Sequence, residues 1–302
     1  MNILISGASG FIGKELVRFL AGQGHTVLPL RRDVENASGN TSGNAPCWDI
    51  QRKTVRLDAE QKIDVVIHLA GENVSQGRWT AAKKRKILQS RVEGTSLLAE
   101  FFAAATHKPR LMISASAIGF YGERGDEELD EESKKGDGFL ADVAAAWEEA
   151  TCPAAEAGIR VVNTRFGIVL SPDGGALTRM LPPFKMGLGG TLGGGKQYMS
   201  WVSMQDVVQA FGHIIQHEEL SGPVNIVAPQ PVTNREFTRV LGCVLCRPAF
   251  FPVPKRFLSL FLGEMARELL FASARVYPRK LQESGYIFAA PELRPALRRL
   301  LG

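Results

Sequence analysis

The sequence of 302 residues contains neither a long hydrophobic run nor many cysteines. A helix that crosses a membrane needs about 20 consecutive apolar residues, and no such run occurs. The first apolar segment begins at residue 2, which leaves no space ahead of it for a signal or transit peptide. We therefore expect a cytoplasmic protein that makes no membrane contact.

The four cysteines do not form a metal-binding pattern. Cys243 and Cys246 have the spacing of a zinc-binding pair, but a structural zinc site needs two further ligands. Neither a second pair nor a nearby histidine accompanies them. Because no secretory signal is found, we expect reduced thiols, with this pair buried in an apolar helix and no metal site.

The charge of the chain is only mildly unbalanced, with a formal net charge of +5. A local basic run, Lys83-Lys84-Arg85-Lys86, is typical of a solvated helix face. Nothing else in the sequence resembles a nucleic-acid reader, so we expect no nucleic-acid partner. A modest positive charge suits an anionic cofactor.

A strand–turn–helix–strand pattern stands at the start of the sequence. Residues 2–5 predict a strand, and the spacing of Ile12, Leu16 and Leu20 predicts the helix. The glycines between them allow a tight turn, close approach of the backbone to a pyrophosphate, and close packing of the helix on the strand. The N–H groups at the helix N-terminus attract a phosphate. We therefore predict a dinucleotide site at Gly7, Ser9, Gly10, Phe11, Ile12 and Gly13.

Two arginines end the second predicted strand. An enzyme that uses NAD usually has an acidic side chain here for the ribose 2′-hydroxyl, whereas arginine accommodates the 2′-phosphate of NADP. Arg31 and Arg32 favour NADP, because a guanidinium group matches phosphate geometry with paired donors. The alternative is that both are surface charges at a strand end, and the neighbouring Asp33 supports that alternative.

Strands and helices alternate through the next part of the chain. Apolar runs predict buried strands at residues 64–69, 111–114 and 160–164, separated by helices predicted at 80–104 and 139–157. Such alternation argues for a parallel sheet that is covered on both faces. We therefore predict an α/β fold with a Rossmann-type doubly wound parallel sheet.

The regular alternation of predicted strands and helices ends after residue 165. We predict an NADP-binding domain at 1–165, onto which some later segments fold back. Residues 166–302 are expected to form a smaller substrate-binding region, with a small helical C-terminal domain from about residue 248.

A polar, glycine-rich loop is predicted at 35–46. Residues at the carboxyl end of the strand at 64–69 are expected to meet the cofactor, namely Leu69, Ala70, Gly71 and Glu72.

Several separated motifs resemble the extended short-chain dehydrogenase/reductase superfamily, and within it the atypical branch called the epimerase family. The resemblance covers nearly the whole chain. It rests on Gly7-Ala-Ser-Gly10-Phe-Ile-Gly13, His68-Leu-Ala-Gly-Glu-Asn73, Arg78-Trp79, Gln89-Ser-Arg91, Tyr121-Gly122, Trp147-Glu148, Pro172-Asp-Gly-Gly175, Leu181-Pro-Pro-Phe184, Gly187-Leu-Gly-Gly190 and Trp201.

The resemblance implies a cofactor, a substrate and an assembly. It implies NADP at the positions that match Arg31, Arg32, Leu69, Ala70, Arg91 and Val169. It also implies a small-molecule substrate, and it allows a homodimer built from the two long helices.

The same resemblance exposes a gap in the catalytic pattern. Active members use a serine or threonine together with a tyrosine four residues before a lysine. The lysine lowers the tyrosine pKa, so that the phenol can exchange a proton with the substrate while hydride moves. Ser116 matches the serine, but the tyrosine and lysine positions fall on Phe139 and Val143. No tyrosine in the sequence has a lysine four residues later.

Another side chain would therefore have to transfer the proton. Tyr121, Glu72 and Tyr198 are candidates, with Arg91 holding the ribose. We select Ser116 and Tyr121 as the catalytic candidates. The alternatives are that Tyr121 only bonds a loop and that Glu72 only caps the next segment.

Two functions are consistent with this sequence. The first is an NADP(H)-dependent oxidoreductase or epimerase-like enzyme with a rearranged proton donor. The second is a non-catalytic NADP(H)-binding sensor or regulatory protein, and the missing tyrosine–lysine pair favours it.

Overall fold

The structure, a computed structural model, describes residues 1–32, 45–58 and 61–302. Its strands are, in chain order, β1 (Asn2–Ser6), β2 (Thr26–Arg32), β3 (Cys47–Asp49), β4 (Thr54–Arg56), β5 (Val65–His68), β6 (Leu111–Ala117), β7 (Glu128–Leu129), β8 (Arg160–Phe166), β9 (Ile168–Ser171), β10 (Tyr198–Met199), β11 (Trp201–Ser203), β12 (Gly222–Ile226), β13 (Val232–Thr233) and β14 (Arg275–Val276). Asp33 and most of the loop predicted at 35–46 lie outside the described residues.

The helices complete the description. They are α1 (Phe11–Gly22), α2 (Ala81–Ala103), α3 (Phe139–Glu149), α4 (Cys152–Glu156), α5 (Gly175–Lys185), α6 (Met204–Gln216), α7 (Asn234–Val244), α8 (Lys255–Leu262), α9 (Glu264–Ala266), α10 (Arg279–Glu283) and α11 (Leu293–Leu301), with a 3₁₀ turn at Ile118–Tyr121 and a π turn at Arg267–Phe271. In the described ranges, no helix combines the length and the apolar character that a membrane crossing requires.

The largest sheet has the strand order β12-β8-β6-β5-β1-β2-β3-β4. β1 pairs in parallel with both β2 and β5, and β5 pairs in parallel with β6. At one edge of the sheet, β4 runs antiparallel to its neighbour β3. This topology confirms the predicted α/β fold with a Rossmann-type parallel sheet.

The chain divides into two compact units. Unit 1 consists of Met1–Val74, Arg85–Ala115 and Ala146–Asn163. Unit 2 consists of Ser75–Lys84, Ser116–Ala145 and Thr164–Gly302. The predicted domain boundary at residue 165 and the small domain from about 248 stay predictions.

The core of unit 1 forms around its central strands. Ile3, Leu4 and Ile5 of β1 are fully buried, as are Val65 and Ile67 of β5. Central parallel strands are covered on both faces, which is why they are continuous apolar runs without polar alternation.

The core of unit 2 contains the two amphipathic helices α7 and α11. Phe237 and Leu241 of α7 are fully buried in one cluster with Leu293 and Leu297 of α11. The four-residue spacing within each pair places both side chains on one face of their helix. The opposite face of α7 is left at the surface.

Candidate functional site

The glycine turn of unit 1 lies directly against the end of β5. Gly7 has a φ of +73°, and a Cβ atom there would stand 2.8 Å from the Leu69 carbonyl carbon and 2.9 Å from the Ala70 nitrogen. The turn is closed by the Gly10 N–H, which donates to the Gly7 carbonyl over 2.9 Å. A Cβ atom on Gly13 would overlap the same Gly7 carbonyl oxygen. Glycine is therefore required at position 7 by both conformation and space, and at position 13 by space alone.

Helix α1 begins directly after this turn and has no side-chain cap. Gly10 is its N-cap residue in an extended conformation, and the first turn contains no acidic side chain. The first N–H groups of a helix have no intrahelical partner, and the helix dipole adds a partial positive charge there. Ser9 and Gly10 are exposed, and Phe11 and Ile12 are half-buried. This end of α1 can accept a phosphate group.

Arg31 and Arg32 end strand β2 with exposed side chains. Their backbones are held in place by pairing with Cys47 and Trp48 of β3, and the Arg31 N–H donates to the Pro46 carbonyl over 3.0 Å. β1 and β2 run in parallel. The glycine turn after β1 and the arginines at the end of β2 are therefore at the carboxyl ends of neighbouring strands. That edge of a parallel sheet is where nucleotides bind.

The segment after β5 is fastened by two residues of α2. The Glu72 N–H donates to Ser90 Oγ over 3.0 Å, and Arg91 Nη1 donates to the Glu72 carbonyl over 3.0 Å. The Arg91 guanidinium also covers Gly71, where a Cβ atom would stand 3.4 Å from its central carbon. The structure therefore brings Gly71, Glu72 and Arg91 together, as it does Gly7, Leu69 and Ala70.

Arg91 is held by an aromatic ring as well as by the backbone. Its guanidinium carbon lies 4.9 Å from the centre of the Trp147 ring, and Trp147 Nε1 donates to Thr95 Oγ1 over 2.9 Å. Burial lowers the pKa of Arg91 to about 10, with the nearby Glu72 charge opposing that shift. Arg91 therefore remains charged at neutral pH, and its contacts give it a structural task beside the cofactor role that the resemblance implies.

A buried histidine underlies the glycine turn. His68 Nδ1 is 2.5 Å from Ser6 Oγ, and the Trp48 ring meets the imidazole edge-on with ring centres 5.6 Å apart. Its Nε2 has no hydrogen-bond partner in the described part of the chain. Burial, and secondarily the charge of Arg91, lowers the pKa of His68 to about 3. His68 is thus a neutral core residue.

We expect His68 to make unit 1 acid-sensitive. Its folded pKa lies below its ordinary value of 6.5, so the unfolded chain binds the proton first and stability falls as the pH drops below 6.5. Between pH 6.5 and 4.5 this group should remove about 2.3 kcal/mol of unfolding free energy, because the slope rises from half of its full value of about 1.36 kcal/mol per pH unit at pH 6.5. Urea unfolding at both pH values measures that loss.

The matched control for this prediction is an exposed histidine of the same unit. His68→Gln should reduce the loss of stability between the two pH values, whatever its effect at pH 7. His107→Gln removes an exposed histidine and should leave the pH dependence as in the wild type. An unchanged pH dependence in His68→Gln would contradict the assignment.

The two catalytic candidates and Val169 belong to unit 2. Ser116 lies near the carboxyl end of β6 and is 2% exposed. Tyr121 is fully buried: its hydroxyl donates to Asn225 Oδ1 over 2.7 Å and accepts from Arg165 Nη1 over 2.9 Å. Val169 is half-buried on β9, paired with Val202 of β11.

The surroundings of Tyr121 do not favour proton transfer. Burial raises the pKa of its phenol to about 12, although the Arg165 charge and the hydrogen bonds that the phenol forms with Arg165 and Asn225 act in the opposite direction. A general acid or base works best when its pKa is near the operating pH. These contacts favour a structural role for Tyr121, but its partners stand on strands β8 and β12 and not on a loop, as the alternative had it.

Phe139, which the resemblance places at the tyrosine position, is tightly held. The backbone N–H groups of Phe139 and Leu140 donate to the two carboxylate oxygens of Glu268 over 3.0 and 2.8 Å, which caps the start of α3. The Phe139 ring meets the Trp79 ring edge-on at 5.2 Å and lies 4.4 Å from Lys84 Nζ. Val143, at the lysine position, is 3% exposed. The chain therefore has a fixed aromatic ring here without a hydroxyl group.

The prediction that Cys243 and Cys246 are buried is wrong, because both are exposed. The buried face of α7 is formed by Phe237, Val240 and Leu241, and Cys243 lies on the opposite face. The apolar character of the local sequence concealed this orientation. Within the ranges that the structure describes, no three His, Cys, Asp or Glu side chains are grouped so that they could hold a metal ion.

Comparisons with known proteins agree over nearly the whole chain. The family model for the NAD dependent epimerase/dehydratase family matches residues 3–227, and a second model, Domain of unknown function (DUF1731), matches 253–300. An epimerase family protein of Mycobacterium bovis is 41% identical over 286 residues, which is 95% of this chain and 93% of the relative.

Two solved structures extend the comparison. The crystal structure of human epimerase family protein SDR39U1 (isoform 2) with NADPH has a TM-score of 0.86 and 31% identity, and the match covers 99% of each chain. The nucleoside-diphosphate sugar epimerase from Corynebacterium glutamicum has a TM-score of 0.76 and 34% identity, over 100% of this chain and 58% of that one.

Proposed function

This chain belongs to the NAD dependent epimerase/dehydratase family, and on that premise we propose that it is an NADP(H)-dependent oxidoreductase or epimerase-like enzyme. The observation that carries the proposal is the uncapped start of α1 behind a turn that admits only glycine at positions 7 and 13. Such a turn lets a pyrophosphate approach the backbone, and the helix supplies donors for it. The human relative named above was solved with NADPH.

The proposed cofactor residues have distinct tasks. Gly7, Ser9, Gly10, Phe11, Ile12 and Gly13 would hold the pyrophosphate, and Leu69, Ala70, Gly71, Glu72 and Arg91 would border the rest of the cofactor. The cofactor role of Val169 stays a prediction from the resemblance. Arg31 and Arg32 would hold the 2′-phosphate, because two exposed guanidinium groups provide paired donors to phosphate oxygens. The cofactor, when bound, supplies hydride chemistry.

The substrate is proposed to be a small molecule that exchanges hydride. The relative from Corynebacterium glutamicum is named a nucleoside-diphosphate sugar epimerase, which makes sugar nucleotides the first class to screen. Ser116 is the proposed hydrogen-bond partner of the reacting oxygen, since a hydroxyl can both donate and accept. Neither a nucleic acid nor a membrane enters the proposal, and a homodimer stays a prediction.

A non-catalytic NADP(H)-binding protein is the second candidate. Phe139 and Val143 support it, because neither a phenyl ring nor an isopropyl group can move a proton. The placement of Tyr121 adds support, since a buried phenol with a raised pKa is a poor substitute. Transfer of deuterium from 4-deuterated NADPH to any sugar nucleotide would favour the enzyme over the sensor.

The first experiment is a direct titration of the protein with NADPH and with NADH. We expect tight NADPH binding and much weaker NADH binding. In Arg31→Ala/Arg32→Ala, loss of two charge-assisted contacts of about 1.5 kcal/mol each should weaken NADPH binding by roughly 100-fold. NADH binding should change by less than about threefold, because NADH has no 2′-phosphate for a guanidinium group to bind.

The matched control removes two exposed arginines elsewhere in unit 1. Arg18→Ala/Arg52→Ala changes the net charge equally and should leave both affinities unchanged. Equal weakening in the control would assign the effect to overall charge. If neither nucleotide binds to the wild type, the proposal is overturned as a whole. Equal binding of NADPH and NADH would overturn the choice of NADP alone.

A further inference from the structure

A cleft of about 560 Å³ opens on the exposed face of α7, within unit 2. Its lining comes from α7 and from the two segments that flank it. The lining residues are Thr191, Arg235, Thr238, Arg239, Gly242, Cys243, Cys246, Arg247, Pro248, Ala249 and Phe250. None of them is among the residues proposed above for the cofactor.

The walls of this cleft are fixed by backbone contacts. The Arg247 N–H donates to the Gly242 carbonyl over 2.9 Å, so the chain turns back onto α7 directly after the helix. A Cβ atom on Gly242 would stand 2.8 Å from the Ala249 Cβ, which shows how closely the returning segment packs. On the other side, the Arg235 N–H donates to the Gly195 carbonyl over 2.9 Å.

Positive charge dominates the cleft. Arg235 and Arg239 stand four residues apart on α7, so both lie on the same face, and Arg247 comes from the returning segment. In the described ranges these side chains donate only to carbonyl oxygens, Arg235 to Gly194 and Arg247 to Lys185 and Cys246. None of the described residues that line the cleft is acidic. Three guanidinium groups without a neutralising carboxylate attract an anion.

A buried hydroxyl supplies an independent observation. Thr238 is 2% exposed and lines the cleft, and its Oγ1 has no hydrogen-bond partner in the part of the chain that the structure describes. A buried hydroxyl without a partner is costly, so a polar ligand atom would stabilise it. The remaining wall is apolar, with Pro248, Ala249 and a Phe250 that is 69% exposed.

We propose that this cleft binds a small molecule that combines a phosphate group with a planar ring. The phosphate would be held by Arg235, Arg239 and Arg247, because guanidinium forks bind phosphate oxygens in pairs. The ring would lie against Phe250, since an exposed aromatic face favours stacking. The arginine-lined cleft is thus a second ligand site, built from unit 2 alone.

Phenyl phosphate is the probe that combines both groups, and calorimetric titration measures its binding. We expect saturable binding to the wild type, at least about tenfold tighter than that of inorganic phosphate, because a buried ring contributes about 1.4 kcal/mol or more. Arg235→Ala/Arg239→Ala should weaken phenyl phosphate binding at least about tenfold, the equivalent of one charge-assisted contact. Thr238→Val should weaken it several-fold without loss of folding, because the valine has nearly the same shape.

The control variant has the same spacing on another helix of unit 2. Arg294 and Arg298 are exposed and stand four residues apart on α11, so Arg294→Ala/Arg298→Ala removes the same charge. It should leave phenyl phosphate binding unchanged. Absence of saturable binding, or equal weakening in the α11 control, would overturn the proposal. If Thr238→Val bound phenyl phosphate with wild-type affinity, the proposed hydrogen bond between the Thr238 hydroxyl and the ligand would be overturned.

Discussion

Replacing Asp206 with alanine should lower the free energy of unfolding by about 4 kcal/mol, because it breaks a buried hydrogen-bond network and leaves several donors without an acceptor. Asp206 stands in the first turn of α6 and has no exposed surface. Its carboxylate accepts hydrogen bonds from Ser203 Oγ over 2.7 Å and from the Ala289 and Ala290 N–H groups over 2.7 and 3.1 Å. The Tyr286 hydroxyl adds a fourth donor at 3.2 Å.

The cost arises from the donors that the substitution leaves behind. Each buried donor without a partner costs about 1–3 kcal/mol, and the alanine side chain offers none of them an acceptor. Ala289 and Ala290 precede α11 by only a few residues. Loss of their hydrogen bonds to Asp206 should therefore loosen the packing of α11 on α7 as well. Urea unfolding of the variant against the wild type measures the change.

Asp142→Ala is the matched control for Asp206→Ala. Asp142 also stands in the first turn of a helix, but its side chain is 69% exposed and forms an ion pair with Lys135. Exposed ion pairs contribute about 0–1 kcal/mol, so this variant should unfold at nearly the wild-type urea concentration. If both variants lost the same small amount, the hydrogen-bond network around Asp206 would not be the source of stability that its geometry indicates.

The parts of the fold that sequence patterns predicted are those with local causes. The buried strands β1 and β5 are continuous apolar runs because both faces of a central strand in a parallel sheet are covered by packed elements. Helix α2 at Ala81–Ala103 agrees closely with the prediction of 80–104. The glycine turn was recognisable because steric requirements at Gly7 and Gly13 leave no other residue type.

Features with distant causes could not be predicted. The cap of α3 comes from Glu268, which is 129 residues beyond the Phe139 N–H that it accepts. The acceptor role of Asp206 toward Ala289 spans 83 residues.

The helix predicted at 139–157 was wrong in its continuity: the structure has two helices, α3 and α4, and Pro153 stands in the first turn of the second. Proline favours that position because the first N–H groups of a helix need no partner within it.

The orientation of α7 is another point at which pattern reasoning failed. Cys243 was expected to be buried because the residues around it are apolar, but Arg235 and Arg239 precede it at four-residue intervals and share its face. Because Cys243 stands four residues after Arg239, the helical repeat predicts that it is exposed on the same face as the arginines. Thr238, on the border between the two faces, could not be assigned in this way.

Replacing Gly13 with alanine should disrupt the cofactor site more generally than the loss of the arginines does. The new Cβ atom would overlap the Gly7 carbonyl oxygen and stand 2.9 Å from the Ala8 Cα atom. Both are backbone atoms, so either α1 moves away from β1 or the turn opens. We expect a loss of about 3 kcal/mol in unfolding free energy, at the upper end for overpacked sites.

The nucleotide affinities should separate this effect from that of the arginines. Gly13→Ala displaces the donors at the start of α1, which would bind the pyrophosphate common to both nucleotides, so NADPH and NADH should weaken alike by more than about 100-fold. Gly22→Ala is the control, because it lies at the other end of α1 with no atom within 4 Å of its added Cβ. Alanine raises helix propensity by about 1 kcal/mol over glycine, so this variant should be as stable as the wild type or more so. Wild-type NADPH affinity in a folded Gly13→Ala protein would show that the turn does not hold the pyrophosphate, and Arg31 and Arg32 would then need another explanation.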